Sequence, residues 1–123
     1  MLILCVEDEN FLRNDIVEEL IIAGYNVVEA CNGEQALEQV AAHCPDLILT
    51  DVSMPRMNGY DLLAKLRSEE QKHYPAPVIF MTAFDETEVL LHCSVKPDAV
   101  IRKPVDYGDL LAKLRTFQPP KAA

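Results

Sequence analysis

Short apolar runs and longer amphipathic stretches alternate five times along this chain, and the alternation predicts its architecture. Leu2 to Val6 is a near-continuous apolar run of strand length. Phe11, Leu12, Ile16, Val17, Leu20 and Ile21 then recur at helical spacing, and Gly24 stands where a helix-terminating glycine belongs. Tyr25 to Ala30 is rich in β-favouring residues and reads as a second strand. Asn32-Gly33 opens a helix with Ala36, Leu37, Val40 and Ala41 on one face, and Pro45 marks its end. Asp46 to Thr50 is a third strand. After a loop holding Pro55, Gly59 precedes a helix with Leu62, Leu63 and Leu66 together. Pro75 and Pro77 bound the approach to a fourth strand, Val78 to Met81. A helix from about Asp85 to His92, a strand from Ala99 to Ile101 and a helix from about Tyr107 to Phe117 complete the pattern.

Strands that read as apolar runs, rather than alternating with polar residues, are covered on both faces. Five of them alternating with five helices predict an α/β fold. The expected form is a single-domain, doubly wound (βα)5 unit, flavodoxin-like, whose five-stranded parallel sheet carries helices on both faces. The domain is expected over residues 1–118, with 119–123 a disordered tail or linker stub having nothing to bury.

Composition narrows the function. Half of the 123 residues are apolar and a quarter are charged, the balance of a soluble domain. Twenty acidic residues against eleven basic give a formal net charge of -9. That disfavours nucleic-acid binding and a polybasic membrane anchor, and favours a cationic partner or a divalent metal. No apolar run approaches the ~20 residues that span a bilayer. The apolar start has no basic flank and meets Glu7-Asp8-Glu9 at once, so a buried strand is expected there instead of a secretory signal. Cys5, Cys31, Cys44 and Cys93 are scattered, with no metal-ligand spacing, and are expected as free, mostly buried thiols of a cytoplasmic protein. His43, His73 and His92 are equally dispersed and read as surface residues.

In an open parallel sheet the ligand crevice lies at the C-terminal ends of the strands, where strand order reverses. The first strand delivers Glu7 and Asp8 to that edge, the third Asp51, the fourth Thr82 and the fifth Lys103. Three carboxylates at ~4 Å cost on the order of 4 kcal/mol per contact at an effective dielectric near 20. Either they bind protons or something positive sits among them. An oxygen-only ligand set suits a hard cation, Mg2+ or Mn2+ in its place. Lys103 is expected to supply a further positive charge at the opposite side of the pocket.

Glu7-Asp8, Asp51 with Met54-Pro55 and Gly59 behind it, Thr82-Ala83 and Lys103-Pro104 together resemble the response-regulator receiver family of two-component signalling. The likeness extends from Leu2 to about Phe117. It implies that Asp51 is the phosphoacceptor for a phosphohistidine on a sensor histidine kinase or histidine phosphotransfer protein. Asp8 and Asp51 would bind the metal directly, Glu7 through water, and Ser53 through its backbone carbonyl. Thr82 and Lys103 would each contact a phosphoryl oxygen, and the Lys103-Pro104 bond would be cis. An output through a downstream effector or a homodimer, on the face of helix four, strand five and helix five, is also implied.

Departures from the family pattern are local. Val100 stands where an aromatic usually turns inward on phosphorylation, Lys96-Pro97-Asp98 replaces the common Gly-Ala-Asp, and Glu7 replaces a more frequent Asp. Phe84, two residues after Thr82, is bulky enough to screen an acyl phosphate from water and implies a long-lived phosphorylated state. Two other readings belong beside this one. A receiver-like module could dock partners without being phosphorylated. Haloacid dehalogenase phosphatases also combine Asp, Mg2+, Thr and Lys, but they place a second Asp two residues after the nucleophile. Here that residue is Ser53, so the chain is expected not to be an enzyme.

Overall fold

The structure, a computed structural model, describes residues 1–117; the tail expected at 119–123 lies outside them. Five strands form one sheet: β1 (Leu2–Val6), β2 (Asn26–Ala30), β3 (Leu47–Asp51), β4 (Val78–Thr82) and β5 (Ala99–Arg102). Their order is β2-β1-β3-β4-β5, and every neighbouring pair is parallel. The connecting helices are α1 (Asn10–Ile22), α2 (Gly33–His43), α3 (Gly59–Leu66), α4 (Glu86–Leu91) and α5 (Tyr107–Thr116). A short 3-10 turn over Glu69–Gln71 follows α3, in a polar stretch without helical periodicity. The strand and helix positions match the expectation to within a residue or two. The doubly wound parallel sheet is as the apolar pattern predicts.

Residues of alternate parity along the strands feed two separate cores. Leu4, Val6, Ile48, Val78 and Phe80 meet Ala36, Val40, Leu62, Leu63, Leu66 and Val89 from α2, α3 and α4. Ile3, Cys5, Leu47, Leu49, Ile79 and Met81 meet Ile16, Leu20, Leu110 and Leu114 from α1 and α5. Period-two alternation therefore selects the face, while hydrophobicity on both faces marks the strand as central. All five residues of β3 and of β4 are buried, whereas β2 and β5 are only partly covered because they form the sheet edges. Each fully buried aliphatic or aromatic side chain contributes roughly 1.5–3 kcal/mol of transfer free energy.

Two expectations about packing need correction. Phe11 and Ile21 fit a helical stripe by spacing, yet they are 83% and 57% exposed. The covered stripe of α1 is Leu12, Ile16 and Leu20, and Phe11 and Ile21 each sit one residue, about 100° of rotation, away from it. The cysteines are all free, but only Cys5 is buried; Cys31 and Cys93 are half-buried and Cys44 is exposed in a left-handed position that ends α2. The three histidines are on the surface as expected.

Asn32, Asn58, Asp85 and Asp106 accept from the third backbone N–H of α2, α3, α4 and α5 at 2.8, 2.8, 2.9 and 3.1 Å. The loop after β3 is closed by a hydrogen bond from Gly59 N–H to the Val52 carbonyl at 2.8 Å. A Cβ on Gly59 would stand 2.7 Å from the Asp51 carbonyl oxygen and 2.9 Å from Val52 Cα, both backbone atoms. Gly59→Ala is therefore expected to destabilise the domain by about 1–3 kcal/mol, since the strand carrying Asp51 or the helix must shift. Urea denaturation measures this; an unchanged midpoint would mean that the backbone accommodates the methyl freely.

Candidate functional site

Strand order reverses between β1 and β3, and the chemistry-bearing residues gather at the C-terminal ends flanking that point. Glu7 extends the ladder one step beyond β1, its N–H donating to the Ala30 carbonyl at 3.1 Å. Its side chain is 1% exposed. Asp51 ends β3, buried, and its Oδ1 accepts from the Ser53 N–H at 3.4 Å. Asp8 is exposed beside them. One carboxylate oxygen from each of Glu7, Asp8 and Asp51 lies within 4.8 Å of the others.

Lys103 reaches this cluster from β5. Its Nζ donates to Glu7 Oε1 at 2.8 Å and lies 3.2 Å from Asp51 Oδ1. The expectation of an ammonium facing the acids from across the pocket is thus corrected: Lys103 sits among them, because a carboxylate as buried as Glu7 needs a counter-charge in contact. The Lys103-Pro104 bond is cis, as the resemblance implied. Lys103 N–H donates to the Thr82 carbonyl at 2.8 Å, joining the exits of β4 and β5. Thr82 is buried at the end of β4, and its hydroxyl oxygen accepts from the Phe84 N–H at 3.1 Å.

Burial raises the Glu7 carboxyl to about 7, with Lys103 opposing the rise and Asp8 and Asp51 adding to it. Burial likewise raises Asp51, against the pull of Lys103. For Lys103, burial works against the ammonium, but the hydrogen bond to Glu7 and the charge of Asp51 outweigh it, so its affinity for the proton rises. Three carboxylates and one ammonium leave the cluster short of positive charge. An oxygen-only donor set with that deficit fits a hard divalent cation.

An open cleft of about 450 Å³ leads outward from the cluster, lined by Asp8, Ser53, Met54, Pro55, Asn58, Tyr60 and Phe84 among others. Ser53 is exposed at its mouth and Phe84 is 48% exposed. A neighbouring hollow shares Tyr60 and Phe84 and extends to Glu88 and His92 of the α4 region. Sequence reasoning missed Tyr60. Its ring meets Phe80 edge-on at 5.7 Å and approaches the His92 ring at 6.1 Å. Val100 is the register partner of Phe80, whose ring Tyr60 meets from the start of α3. The available signal was an aromatic directly after Gly59, at the start of the helix that follows the site loop. Met54 and Met57 are half-buried and pack against the core.

The sequence matches the response regulator receiver domain family over residues 3–115, and the chain belongs to that family. It is therefore a receiver domain of the kind found in two-component response regulators. It is 33% identical over 116 residues to the probable transcriptional regulator ycf27 of Cyanidium caldarium, and 34% identical over 118 residues to the response regulator MprA of Mycobacterium leprae. These matches cover 94% and 95% of this chain but only 45% and 50% of those relatives. Among solved structures, the chemotaxis protein CheY4 of Vibrio cholerae superposes with a TM-score of 0.85 at 25% identity, covering 95% of this chain and 98% of that one. The receiver domain of the hybrid histidine kinase CckA superposes with a TM-score of 0.76 at 30% identity and the same coverage. Among the described residues, no helix is long and apolar enough to cross a membrane.

The raised Glu7 carboxyl has a consequence for stability. The unfolded chain ionises Glu7 near 4.5 and the folded chain near 7, so between these values the folded state binds more protons. In chelator, this residue's contribution to stability is expected to fall as pH rises through that window. Glu7→Gln should lose that part of the pH dependence, which urea denaturation across the window measures; parallel wild-type and variant profiles would contradict it.

Proposed function

We propose that Asp51 accepts a phosphoryl group from a phosphohistidine on a sensor histidine kinase or histidine phosphotransfer protein. The observation that carries this reading is the setting of the Asp51 carboxylate: buried at the strand-order reversal, 3.2 Å from the Lys103 ammonium, and within a three-carboxylate cluster open to a cleft. In the reaction an Asp51 carboxylate oxygen bonds to phosphorus as the phosphorus–nitrogen bond breaks, and the imidazole departs with the electron pair. Lys103 neutralises charge on a phosphoryl oxygen, and the Thr82 hydroxyl donates to another.

Asp8 and Asp51 hold Mg2+ directly in this reading, Glu7 does so through water, and Ser53 offers its carbonyl. Manganese can take the same place. The ion supplies charge neutralisation for the phosphoryl oxygens. Binding it would compete with the Lys103–Glu7 pair and with the proton on Glu7, so affinity should strengthen with pH. The domain is then a switch reset by hydrolysis, in which water attacks the acyl phosphate, inorganic phosphate leaves and the Asp51 carboxylate is restored. Its signal passes to an effector or a second copy through α4, β5 and α5, where Leu90 and Leu91 are 37% and 79% exposed.

Incubation with acetyl phosphate and Mg2+, read by intact mass, tests the proposal. Wild type should gain one phosphoryl mass, and chelator or Asp51→Asn should abolish the gain. An equal gain in Asp51→Asn would transfer the acceptor role elsewhere; no gain in any form would favour a docking module that is never phosphorylated. Lys103→Met should slow uptake by roughly 10²-fold, the scale for losing one preorganised charge-stabilising donor.

Phe84 lines the cleft beside Asp8 and Ser53, which supports a shielded acyl phosphate. Phe84→Ala is expected to shorten the phosphoryl lifetime in the isolated domain, followed by mass after donor removal. An unchanged lifetime would exclude the ring as a water screen.

A further inference from the structure

Arg13 lies outside the acidic cluster, yet its guanidinium holds the segment that carries Asp8. Nη1 donates to the Glu7 carbonyl oxygen at 2.7 Å, Nη2 to Asn10 Oδ1 at 2.7 Å, and Nε to Glu29 Oε1 at 3.1 Å. The first two contacts grip the chain on either side of Asp8 and Glu9. The third fastens it to β2, where the Glu29 carbonyl in turn accepts from Gln39 of α2 at 2.8 Å. The Arg13 side chain is only 16% exposed, against 45% for Glu29, so the fork is partly shielded from water.

Three features make this grip consequential. Glu7 needs no help of its own: its N–H donates to Ala30, and its carboxylate accepts from Lys103 and from the Glu9 N–H. Asp8 differs, because it is exposed and no packing sets its direction, so the backbone around it must. That backbone leads into α1, the one α-helix among the described residues whose N-cap, Glu9, makes no side-chain capping bond. Arg13 instead ties that segment down from the first turn of α1, donating to the Glu7 carbonyl and to the Asn10 side chain.

We propose that Arg13 is a positioning residue for the divalent cation site, holding the Glu7–Asn10 segment so that the Asp8 carboxylate converges with those of Glu7 and Asp51. The inference rests on reading that cluster as a cation site. Its sign separates it from simple electrostatics. A guanidinium acting through space repels a cation, so deleting it would tighten metal binding. A guanidinium acting as a strap has the opposite effect, because its loss frees one ligand of the cluster. Lysine keeps the charge but lacks the planar three-way fork, so it cannot replace arginine here.

The test is Mn2+ binding to the full chain, followed by the electron paramagnetic resonance of the free ion, with urea denaturation run in parallel. Wild type, Arg13→Met, Arg13→Lys and Val40→Ala are compared; Val40 is buried in the core on the other side of the sheet and serves as a destabilised control. Arg13→Met should weaken Mn2+ affinity about tenfold, the lower end of what removing an outer-sphere partner costs. Arg13→Lys should also weaken it, and Val40→Ala should leave it unchanged. Equal or tighter binding by Arg13→Met overturns the positioning role, as does an equal loss in Val40→Ala. Failure of the wild type to bind Mn2+ overturns the cation reading itself, and this inference with it.

Discussion

A carboxyl as buried as Glu7 needs either a proton or a cation in contact, and Lys103, 96 residues further along the chain, supplies the cation at 2.8 Å. This pair fixes more than its own geometry. It draws the exit of β5 toward the exit of β1, across the intervening ends of β3 and β4. It also holds the Lys103 ammonium 3.2 Å from Asp51, and so sets the charge of the whole cluster. The pair spans nearly the full chain, so the site exists only once the last strand has joined the sheet. Fold and function therefore share one electrostatic constraint.

The sheet behind the site makes that constraint affordable in structural terms. The all-buried strands β3 and β4 give the cluster a floor that cannot shift without opening both cores. Above that floor, Asp8, Ser53 and Phe84 are exposed and line an open cleft. The division suits a switch: the charge cluster is held rigidly, while the cleft that leads to it is accessible. Tyr60 bridges the two zones, with its ring on buried Phe80 and its neighbour His92 on the surface.

Much of this was legible in the sequence, because parallel central strands have no polar face to blur their signal. The residues following each strand then name themselves, and Glu7, Asp8, Asp51, Thr82 and Lys103 all arrive at one sheet edge. Side-chain direction was less legible. Phe11 and Ile21 satisfy a helical period by spacing, but the period alone does not say which of two adjacent residues faces the sheet. Lys103 was assigned to the pocket without its contact to Glu7, since pairing depends on depth of burial, which composition does not report. Arg13 was invisible for a similar reason. Its partners are a backbone carbonyl, an amide and an acid on a different strand, and none of these contacts leaves a spacing pattern.

Cys5, directly beneath this site on β1, has a consequence of a different kind. Burial pushes its thiol up to about 12, and the negative charges of Glu7 and Glu29 reinforce the effect. The thiolate is the form that attacks alkylating reagents, so the native domain presents almost no reactive form at this position. Cys5 lies on β1, paired with β2 on one side and β3 on the other, and is fully buried. Its labelling rate consequently counts the openings that uncover β1, whereas exposed Cys44 records only the reagent's arrival. The chain thus contains its own gauge of kinetic stability, with an internal reference, and needs no added probe.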